Sequence, residues 1–336
     1  MKRIPSLDGL RAISICLVIA GHRIAVMKGL DWTAAYANLG VRIFFVISGF
    51  LITTLLLNEE AKTGTISLRN FYVRRAYRIL PAAFVFMLPM FVIYWHELRW
   101  QEMAAAVFFV MNFDSHKPWS IGHLWSLGVE EQFYFLWPGV FKSIRRHRVG
   151  VLLGVIVLAP FCREFCYWLG LPAGYYGIFP TVADNLAIGC LLAIVMPRIP
   201  VFRSWLVACM VLVIALVPAF PATSASHTTV KVLVLWPLVQ VCIAGVLLHG
   251  VRNPYRILNL APVAWVGRIS YSFYLWQQWF SYSHPPKPFY FVFFALALAC
   301  ASYYLVEQPM LRLRDRRKAT VRPISQAPPI YAVAGD

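Results

Sequence analysis

A histidine and an arginine stand eleven positions apart in the stretch DGLRAISICLVIAGH, residues 8–22, with only apolar and small side chains between them. Because a helix turns 100° and rises 1.5 Å per residue, Arg11 and His22 fall on nearly one face, about 16 Å apart. Neutral imidazole accepts protons near physiological pH, so the pattern predicts that His22 is a general base inside a protein cavity. The alternatives are an Arg11 that snorkels to the inner headgroups and a His22 at the outer membrane interface.

The segment SLRNFYVRRAYRILP, residues 67–81, carries three arginines at helical spacing. Arg74 and Arg78 are four positions apart and Arg75 and Arg78 three, which places all three on one side of a short helix bounded by Pro81. Guanidinium groups bind phosphates through paired hydrogen bonds, so the segment predicts a clamp for a ligand with several phosphates. A flat base on that ligand would stack on the interleaved aromatic residues Phe71, Tyr72 and Tyr77. An ordinary positively charged membrane anchor is the alternative.

Two adjacent glutamates occur in HLWSLGVEEQFYFLWPGVF, residues 123–141. On a helix Glu130 and Glu131 point about 100° apart, so both cannot face water at a membrane surface. One of them is therefore expected to enter the cavity that holds His22. The alternative is an interfacial cluster, since the dipole of a helix favours carboxylates in its early turns. His123 and these glutamates are the next candidates if His22 is only an interfacial residue.

The composition is that of a membrane protein. Of the 336 residues 60% are hydrophobic and 13% charged, with a mean hydropathy of +0.64, whereas soluble domains carry about a quarter charged residues. The net charge of +17 then indicates membrane topology and not nucleic-acid binding. Hydropathy predicts ten spans, at residues 10–27, 40–57, 79–95, 123–141, 149–169, 181–196, 204–220, 230–249, 262–282 and 289–307.

The basic residues orient these spans. With a cytoplasmic N-terminus, most of the 31 lysines and arginines fall on cytoplasmic segments. The short apolar piece at 103–113 is interpreted as re-entrant, because a span there would move the basic run KSIRRHR, residues 142–148, outside. The sequence thus predicts an all-α membrane domain over residues 1–319, with both termini cytoplasmic and no second, soluble domain. The Pro-rich residues 320–336 are expected to be a disordered cytoplasmic tail.

Other chemistries find little support in the sequence. The seven cysteines all fall in predicted spans, without a CxxC pair or a neighbouring histidine, and are expected to be small buried apolar residues. Neither a disulfide framework nor a metal site is predicted. The phosphate-binding patterns G-x-x-x-x-G-K-[ST] and G-x-G-x-x-G are absent from the sequence.

Six segments resemble, in order, the signature motifs of the acyltransferase 3 family, which comprises bacterial membrane O-acyltransferases that modify polysaccharides and other extracytoplasmic acceptors. The similarity extends from Leu7 to about Arg312. It implies ten helices with cytoplasmic termini, in agreement with the distribution of charge. The segments are DGLRAISICLVIAGH, GVRIFFVISGFLITTLL, FYVRRAYRILP, HLWSLGVEEQFYFLWP, ISYSFYLWQ and SYYLVEQP.

The resemblance also implies roles for single residues. His22 corresponds to a histidine regarded as essential for transfer, and Arg11 to the arginine of the same helix. Arg75 and Arg78 correspond to family arginines that are linked to handling of the acyl-CoA donor. Family glutamates correspond to Glu130, Glu131 and, near the end of the match, Glu307. Two positions depart from the pattern: many relatives are acidic at Arg42, and a histidine often stands at Gln277. These departures are expected to concern the acceptor and to leave the core chemistry alone.

The expected activity is acyl transfer from cytoplasmic acyl-CoA, with acetyl-CoA as the first choice, and no permanently bound cofactor. The three clustered arginines would bind the nucleotide phosphates, and the pantetheine arm would pass Arg11. His22 would deprotonate the acceptor hydroxyl, or itself take the acyl group, while Glu131 or Glu130 would orient the imidazolium. The acceptor would be a cell-envelope polysaccharide, a lipid-linked sugar or a similar molecule, at the bacterial cytoplasmic (inner) membrane.

Two other functions remain open on the residues alone. A multi-span transporter of a small anion or a lipid-linked sugar would also use a polar pathway inside the membrane, although internal repeats, common in transporters, are not evident. A scaffold whose basic segment merely binds anionic lipid would not need Arg11 and His22 on one face.

Overall fold

The computed structural model describes residues 4, 6–28, 34–171, 177–200, 203–220, 225–281 and 290–319. The predicted tail at 320–336 lies outside the described residues. Within the described residues the regular structure is helical, without a β-strand. The α-helices are α1 Leu7–Lys28, α2 Ala34–Thr63, α3 Leu68–Ile93, α4 Trp100–Val107, α5 Trp119–Gly122, α6 Leu124–Ser143, α7 Arg148–Trp168, α8 Phe179–Val195, α9 Ser204–Leu216, α10 Ala225–Val230, α11 Trp236–Arg252, α12 Ala261–Ser281, α13 Phe291–Ser302 and α14 Gln308–Ala319.

Each of the ten predicted spans overlaps a helix. Within the described part of the chain, six helical stretches are long and apolar enough to cross a membrane. The count of ten crossings and the cytoplasmic placement of the termini stay predictions. Three further long helices, α1, α6 and α12, carry the polar residues singled out above, as helices that line a polar interior do. The six stretches are Ala34–Thr63, Leu68–Ile93, Arg148–Trp168, Phe179–Arg198, Thr228–Arg252 and Phe291–Arg316.

The apolar piece at 103–113 does not form a spanning helix. It falls on the end of α4, which has 8 residues, and on a 3₁₀ turn at Met111–Phe113. Eight residues extend only about 12 Å along a helix, far less than the roughly 30 Å of the hydrocarbon core. The interpretation of this piece as non-spanning is therefore confirmed.

Close helix contacts at glycines bring the central helices together. Helix α2 packs between α1 and α8, and α1 also packs along α12. A Cβ atom at Gly49 of α2 would overlap the Leu186 carbonyl oxygen, and one at Gly189 of α8 would overlap that of Val46. Small residues at such crossings let helix backbones approach closely, and this packing replaces the hydrophobic driving force that is weak in lipid. Ser14 of α1 also donates a hydrogen bond to the carbonyl of Gly40.

Helix α3 corrects one expectation, because it continues through Pro81 without a break. It begins after Ser67, whose Oγ accepts the N–H of Asn70 at 3.4 Å, and ends at Ile93. A proline inside a membrane helix is tolerated where neighbouring helices supply polar partners. Near Pro81 the Tyr271 hydroxyl of α12 donates to the Ile79 carbonyl at 2.9 Å and so joins α12 to α3. The arginine segment is therefore the first half of a span-length helix and not a separate short helix.

Two π-helical segments join shorter helices into continuous ones. Lys231–Leu235 connects α10 to α11, and Tyr303–Glu307 connects α13 to α14. The second segment ends at Glu307, whose surface is only 4% exposed. Single π turns are frequent at functional sites because they alter the direction in which side chains project. This segment projects Glu307 into the interior of the bundle.

Candidate active site

A cleft lies between α1, α2, α3, α6 and α12. Its apolar walls come mainly from α2, and its charged groups come from three other helices. The polar residues that line it are Arg11, Ser48, Arg75, Arg78, Ser126, Glu130, Tyr134, Ser270, Tyr271 and Tyr274. The fold therefore collects most of the predicted charged residues into one mainly cationic cleft.

Three arginines and one carboxylate, that of Glu130, form the charged lining of the cleft. Arg11 lies within electrostatic range of Arg78, Glu130 and Glu307. The Arg75 guanidinium lies over the Tyr134 ring, with its Cζ 4.0 Å from the ring centroid. A cation–π contact of this kind fixes the guanidinium plane without neutralising the charge. Positive charge held at low dielectric attracts anions strongly, so the cleft suits a phosphate-bearing ligand.

Arg74 does not belong to this group, contrary to the sequence-based expectation. Its Nη2 forms an ion pair with Glu59 Oε2 of α2 at 2.7 Å, and Arg74 does not line the cleft. Adjacent helical residues differ by 100° in direction, so Arg75 can face the cleft while Arg74 meets the end of α2. The structure thus brings Arg75 and Arg78 together and leaves Arg74 outside.

Two of the three aromatic residues expected to stack on a base are occupied elsewhere. Phe71 is buried, and its ring packs edge-on against that of Tyr72 at 5.7 Å between centroids. The Tyr72 hydroxyl donates to the Phe135 carbonyl of α6 at 2.8 Å. Both residues therefore hold α3 to its neighbours, and stacking on a ligand stays a prediction for Tyr77 alone.

The adjacent glutamates have different surroundings. Glu130 lines the cleft, hydrogen-bonds with Ser48 and is attracted by Arg75, Arg11 and Arg78. Glu131 is attracted mainly by Arg75, and its Oε1 has no hydrogen-bond partner among the described residues. Within the same residues neither glutamate hydrogen-bonds to His22. The expectation that a glutamate orients this imidazole is not what the structure shows, because α6 turns Glu130 toward the arginines.

His22 lies farther along α1, outside the cleft lining. Its Nδ1 is 3.3 Å from Oε1 of Gln277 on α12, and its ring meets the ring of Trp119 edge-on, with 5.6 Å between centroids. The amide of Gln277 thus occupies the place expected for a carboxylate. This departure from the family pattern reaches the residue expected to do the chemistry, and not only the acceptor as the sequence suggested.

His123, at the junction of α5 and α6, lies close enough to His22 to interact electrostatically. It is 3% exposed, and its Nε2 is 3.1 Å from the Leu275 carbonyl of α12. Since a carbonyl only accepts, Nε2 carries the proton and Nδ1 is left as an acceptor. Within the described residues this Nδ1 has no hydrogen-bond partner. The two histidines face α12 from different helices.

A chain of hydroxyl groups joins His123 to the cleft. The hydroxyls of Ser126 and Tyr274 are 2.7 Å apart, and Tyr274 donates to the His123 carbonyl at 2.9 Å. From the sequence, Ser126 was grouped with the polar residues at the start of 123–141 but was given no role, and Tyr274 was not singled out. For Tyr274 the available signal was the density of hydroxyl residues in ISYSFYLWQ, residues 269–277, within a predicted span.

Glu307, assigned earlier through the family resemblance alone, joins the same charged group. Its Oε2 accepts a hydrogen bond from Ser272 of α12 at 3.2 Å, and it interacts electrostatically with Arg78 and Arg11. Carboxylates from α6 and from the π segment after α13 therefore lie within electrostatic range of the cleft arginines. Together they offset part of the charge of the three arginines.

Arg42 lies in a different buried polar cluster. Its Nε donates to Asn38 Oδ1 at 2.8 Å, and its Cζ lies 4.2 Å from the centroid of the Trp236 ring. Nearby, Arg163 and Asp184 form an ion pair of 2.7 Å. This cluster links α2, α7, α8 and α11, so Arg42 is not part of the cleft.

The cysteines are free thiols, and three of the seven are buried. Within the described ranges no three His, Cys, Asp or Glu side chains lie close enough together to hold a metal ion. The chemical groups that the structure concentrates are thus guanidinium, carboxylate, hydroxyl and imidazole. This set can bind an anion, move a proton and donate hydrogen bonds to a developing oxyanion.

Comparison with known proteins relates the chain to transferases. The sequence pattern of the acyltransferase 3 family, described as an acyltransferase domain, matches residues 4–307. The peptidoglycan O-acetyltransferase OatA of Listeria monocytogenes is 32% identical over 312 residues, which cover 82% of this chain and 49% of that protein. The putative peptidoglycan O-acetyltransferase YrhL of Bacillus subtilis is 30% identical over 319 residues, covering 82% of this chain and 48% of its own.

A putative O-acetyltransferase of Staphylococcus aureus is 33% identical over 220 residues, which cover 59% of this chain and 35% of that protein. The chain spans about half the length of the first two curated relatives. No solved structure matches the chain.

Proposed function

The chain belongs to the acyltransferase 3 family, and on that premise we propose that it is a membrane O-acetyltransferase that modifies a cell-wall glycan. The observation that carries the proposal is the convergence of Arg11, Arg75 and Arg78 on one cleft. A donor such as acetyl-CoA brings several phosphates and a flexible arm, and a cationic cleft suits both. The thioester would then lie beyond the arginines, along α1 toward His22.

Donor binding would divide between two groups of residues. Arg75 and Arg78 would contact the phosphates of coenzyme A from α3, and Arg11 would receive the phosphate or the start of the pantetheine arm from α1. The helical distance from Arg11 to His22 is about 16 Å, which is comparable with the length of that arm. Arg74 is excluded from this role because it is paired with Glu59.

The chemical step would be direct acyl transfer. His22 would accept the proton of the acceptor hydroxyl as its oxygen forms a bond to the thioester carbonyl carbon. The carbon–sulfur bond would then break, and the coenzyme A thiolate would leave. The imidazolium would give its proton to this thiolate. Atoms and charges balance without a metal ion or an oxidant. Hydroxyl and backbone N–H groups near the cleft are the candidates for stabilising the oxyanion.

The acceptor proposal rests on the relatives. Two of them carry peptidoglycan in their names, so a hydroxyl of the peptidoglycan glycan chain is the first acceptor to test. Acetyl-CoA is made in the cytoplasm and peptidoglycan lies outside it. Ten crossings with cytoplasmic termini would place the arginines on the inner side of the bacterial cytoplasmic membrane and His22 toward the outer side, as such a transfer requires.

Reconstituted protein tests the proposal. Liposomes containing the purified chain would be supplied with radiolabelled acetyl-CoA and soluble peptidoglycan oligosaccharides, and O-acetylated glycan would be measured. We expect transfer by the wild type and a loss of about 10²- to 10⁴-fold in His22→Ala, as for removal of a general base. His147→Ala, which removes an exposed imidazole elsewhere, is the matched control.

Equal transfer by His22→Ala and the control would remove His22 from the mechanism. Absence of transfer to any glycan, with movement of the labelled anion across the membrane instead, would favour the transporter.

A further inference from the structure

The hydrogen bond between His22 and Gln277 determines which imidazole nitrogen carries the proton. The Gln277 oxygen Oε1 is 3.3 Å from Nδ1, and Gln277 is 1% exposed. An amide oxygen can only accept, so Nδ1 must donate. In the neutral imidazole Nε2 is then the nitrogen with the free lone pair. The contact thus selects one of the two tautomers.

A second glutamine holds the other side of the ring through Trp119. The Trp119 indole N–H donates to the Gln278 carbonyl at 3.2 Å, and the Gln278 amide N–H donates back to the Trp119 carbonyl at 2.7 Å. The Trp119 ring in turn meets the His22 ring edge-on. Two consecutive residues of α12 therefore restrain His22 in direction and in tautomer.

We propose that Gln277 is a positioning residue, which holds His22 with Nδ1 protonated so that Nε2 takes the proton of the acceptor hydroxyl. The proposal rests on the proposed acyl transfer. The role is that of the third member of a catalytic triad, performed by an amide in place of a carboxylate.

The neutral amide has a further consequence for turnover. In the part of the chain that the structure describes, the charged or titratable groups around His22 include His123, from the α5–α6 junction, and its neighbour Arg23 on α1. The Arg23 Nη1 donates to the Phe280 carbonyl at 3.1 Å. Among the described residues no carboxylate hydrogen-bonds to His22. Because the hydrogen-bond partner that the described residues give His22 is a neutral amide and not a carboxylate, the imidazolium formed in the first half of the reaction should give its proton to the departing thiolate readily.

The tautomer can be measured without any assay of activity. Solid-state NMR of the ¹⁵N-histidine protein in liposomes separates protonated from unprotonated ring nitrogens. Among the eight histidines, the signals of His22 are identified by their absence in His22→Gln. We expect a protonated Nδ1 and a bare Nε2 in the wild type, and a shift toward the other tautomer in Gln277→Met, which removes the acceptor at similar length.

Gln240→Met supplies the matched control, because Gln240 is an equally buried amide that donates to Asp184 at 2.8 Å in the cluster around Arg42. It should leave the His22 signals and the pH profile of transfer unchanged.

Kinetics supply the second readout. Gln277→Met should lower kcat at least about tenfold with an unchanged KM for acetyl-CoA, since a wrong tautomer costs about 10⁴-fold in serine proteases. Gln277→Glu keeps an accepting oxygen and adds a negative charge that stabilises the imidazolium. It should retain more activity than Gln277→Met, with the acid limb of the pH profile moved to higher pH.

The outcomes separate the two claims. Absence of transfer by the wild type would refute the proposed function. A wild type that transfers acetyl groups, with Gln277→Met identical to Gln240→Met in tautomer, kcat and pH profile, would refute the role of Gln277 alone.

Discussion

The separation of Arg75 and Arg78 from Arg74 leads to the sharpest prediction. Replacing Arg75 and Arg78 by glutamine should weaken acetyl-CoA binding, while replacing Arg74 should not. The three arginines lie within five residues of one helix, so effects of insertion, expression and local charge are nearly matched. The three side chains differ in the direction in which they project from the helix. Arg75 and Arg78 line the cleft, whereas Arg74 is paired with Glu59.

The magnitude follows from the contacts. A hydrogen bond to a charged group contributes about 1.5–3 kcal/mol, and about 1.36 kcal/mol corresponds to tenfold in affinity. Each cleft arginine should therefore account for roughly 10- to 150-fold in Kd. Glu130 and Glu307 offset part of the charge, so we expect the lower end, about tenfold for each arginine. The partly exposed pair of Arg74 and Glu59 should contribute only about 0–1 kcal/mol to stability and nothing to donor binding.

Equilibrium binding of labelled acetyl-CoA to protein in nanodiscs measures these values. Thermal unfolding of each variant shows whether the fold is kept, which matters for Arg75 because it also attracts Glu130 and Glu131. Arg75→Lys keeps this charge and loses the flat guanidinium over Tyr134. Wild-type affinity in the double glutamine variant, or an equal loss in Arg74→Gln, would contradict the assignment of the cleft to the donor.

Four further outcomes are expected. If charge alone binds the donor, Arg11→Lys should keep more transfer activity than Arg11→Ala. If the two N–H groups of the guanidinium are needed, both variants should be equally damaging. Steady-state kinetics distinguish these cases. Wild-type transfer should fall as pH drops through the titration of the proposed histidine base, because only neutral imidazole accepts a proton, and a flat pH profile would contradict this. A reporter fused after Arg148 should behave as cytoplasmic and one fused after Lys117 as extracytoplasmic; the same side for both would disprove the ten-span topology. Gly189→Ala should lower the thermal stability in detergent by about 1–3 kcal/mol through overpacking between α2 and α8. Gly154→Ala, with open space at its Cβ position, is the control and should leave the stability unchanged. Equal stabilities of the two variants would refute the close helix contact.

The sequence alone located the helices and several of their polar faces, because both depend on local periodicity. Apolar runs of span length occur wherever the structure has its long helices, and the short run at 103–113 was too short to cross. Helical geometry placed Arg11 and His22 on one face, and the structure shows both directed toward partners in other helices. The spacing of Arg75 and Arg78 likewise predicted two arginines on one side of a helix.

Which helix each face meets was decided only by tertiary structure. The partner of His22 lies 255 residues away in Gln277, and that of Glu307 lies 35 residues away in Ser272. Periodicity defines the direction of a side chain relative to its own helix axis. The rotation and separation of neighbouring helices depend on close contacts such as that of Gly49 with α8. For this reason the spacing of Arg74 could not reveal its pairing with Glu59, and the adjacency of Glu130 and Glu131 could not reveal which of them lines the cleft.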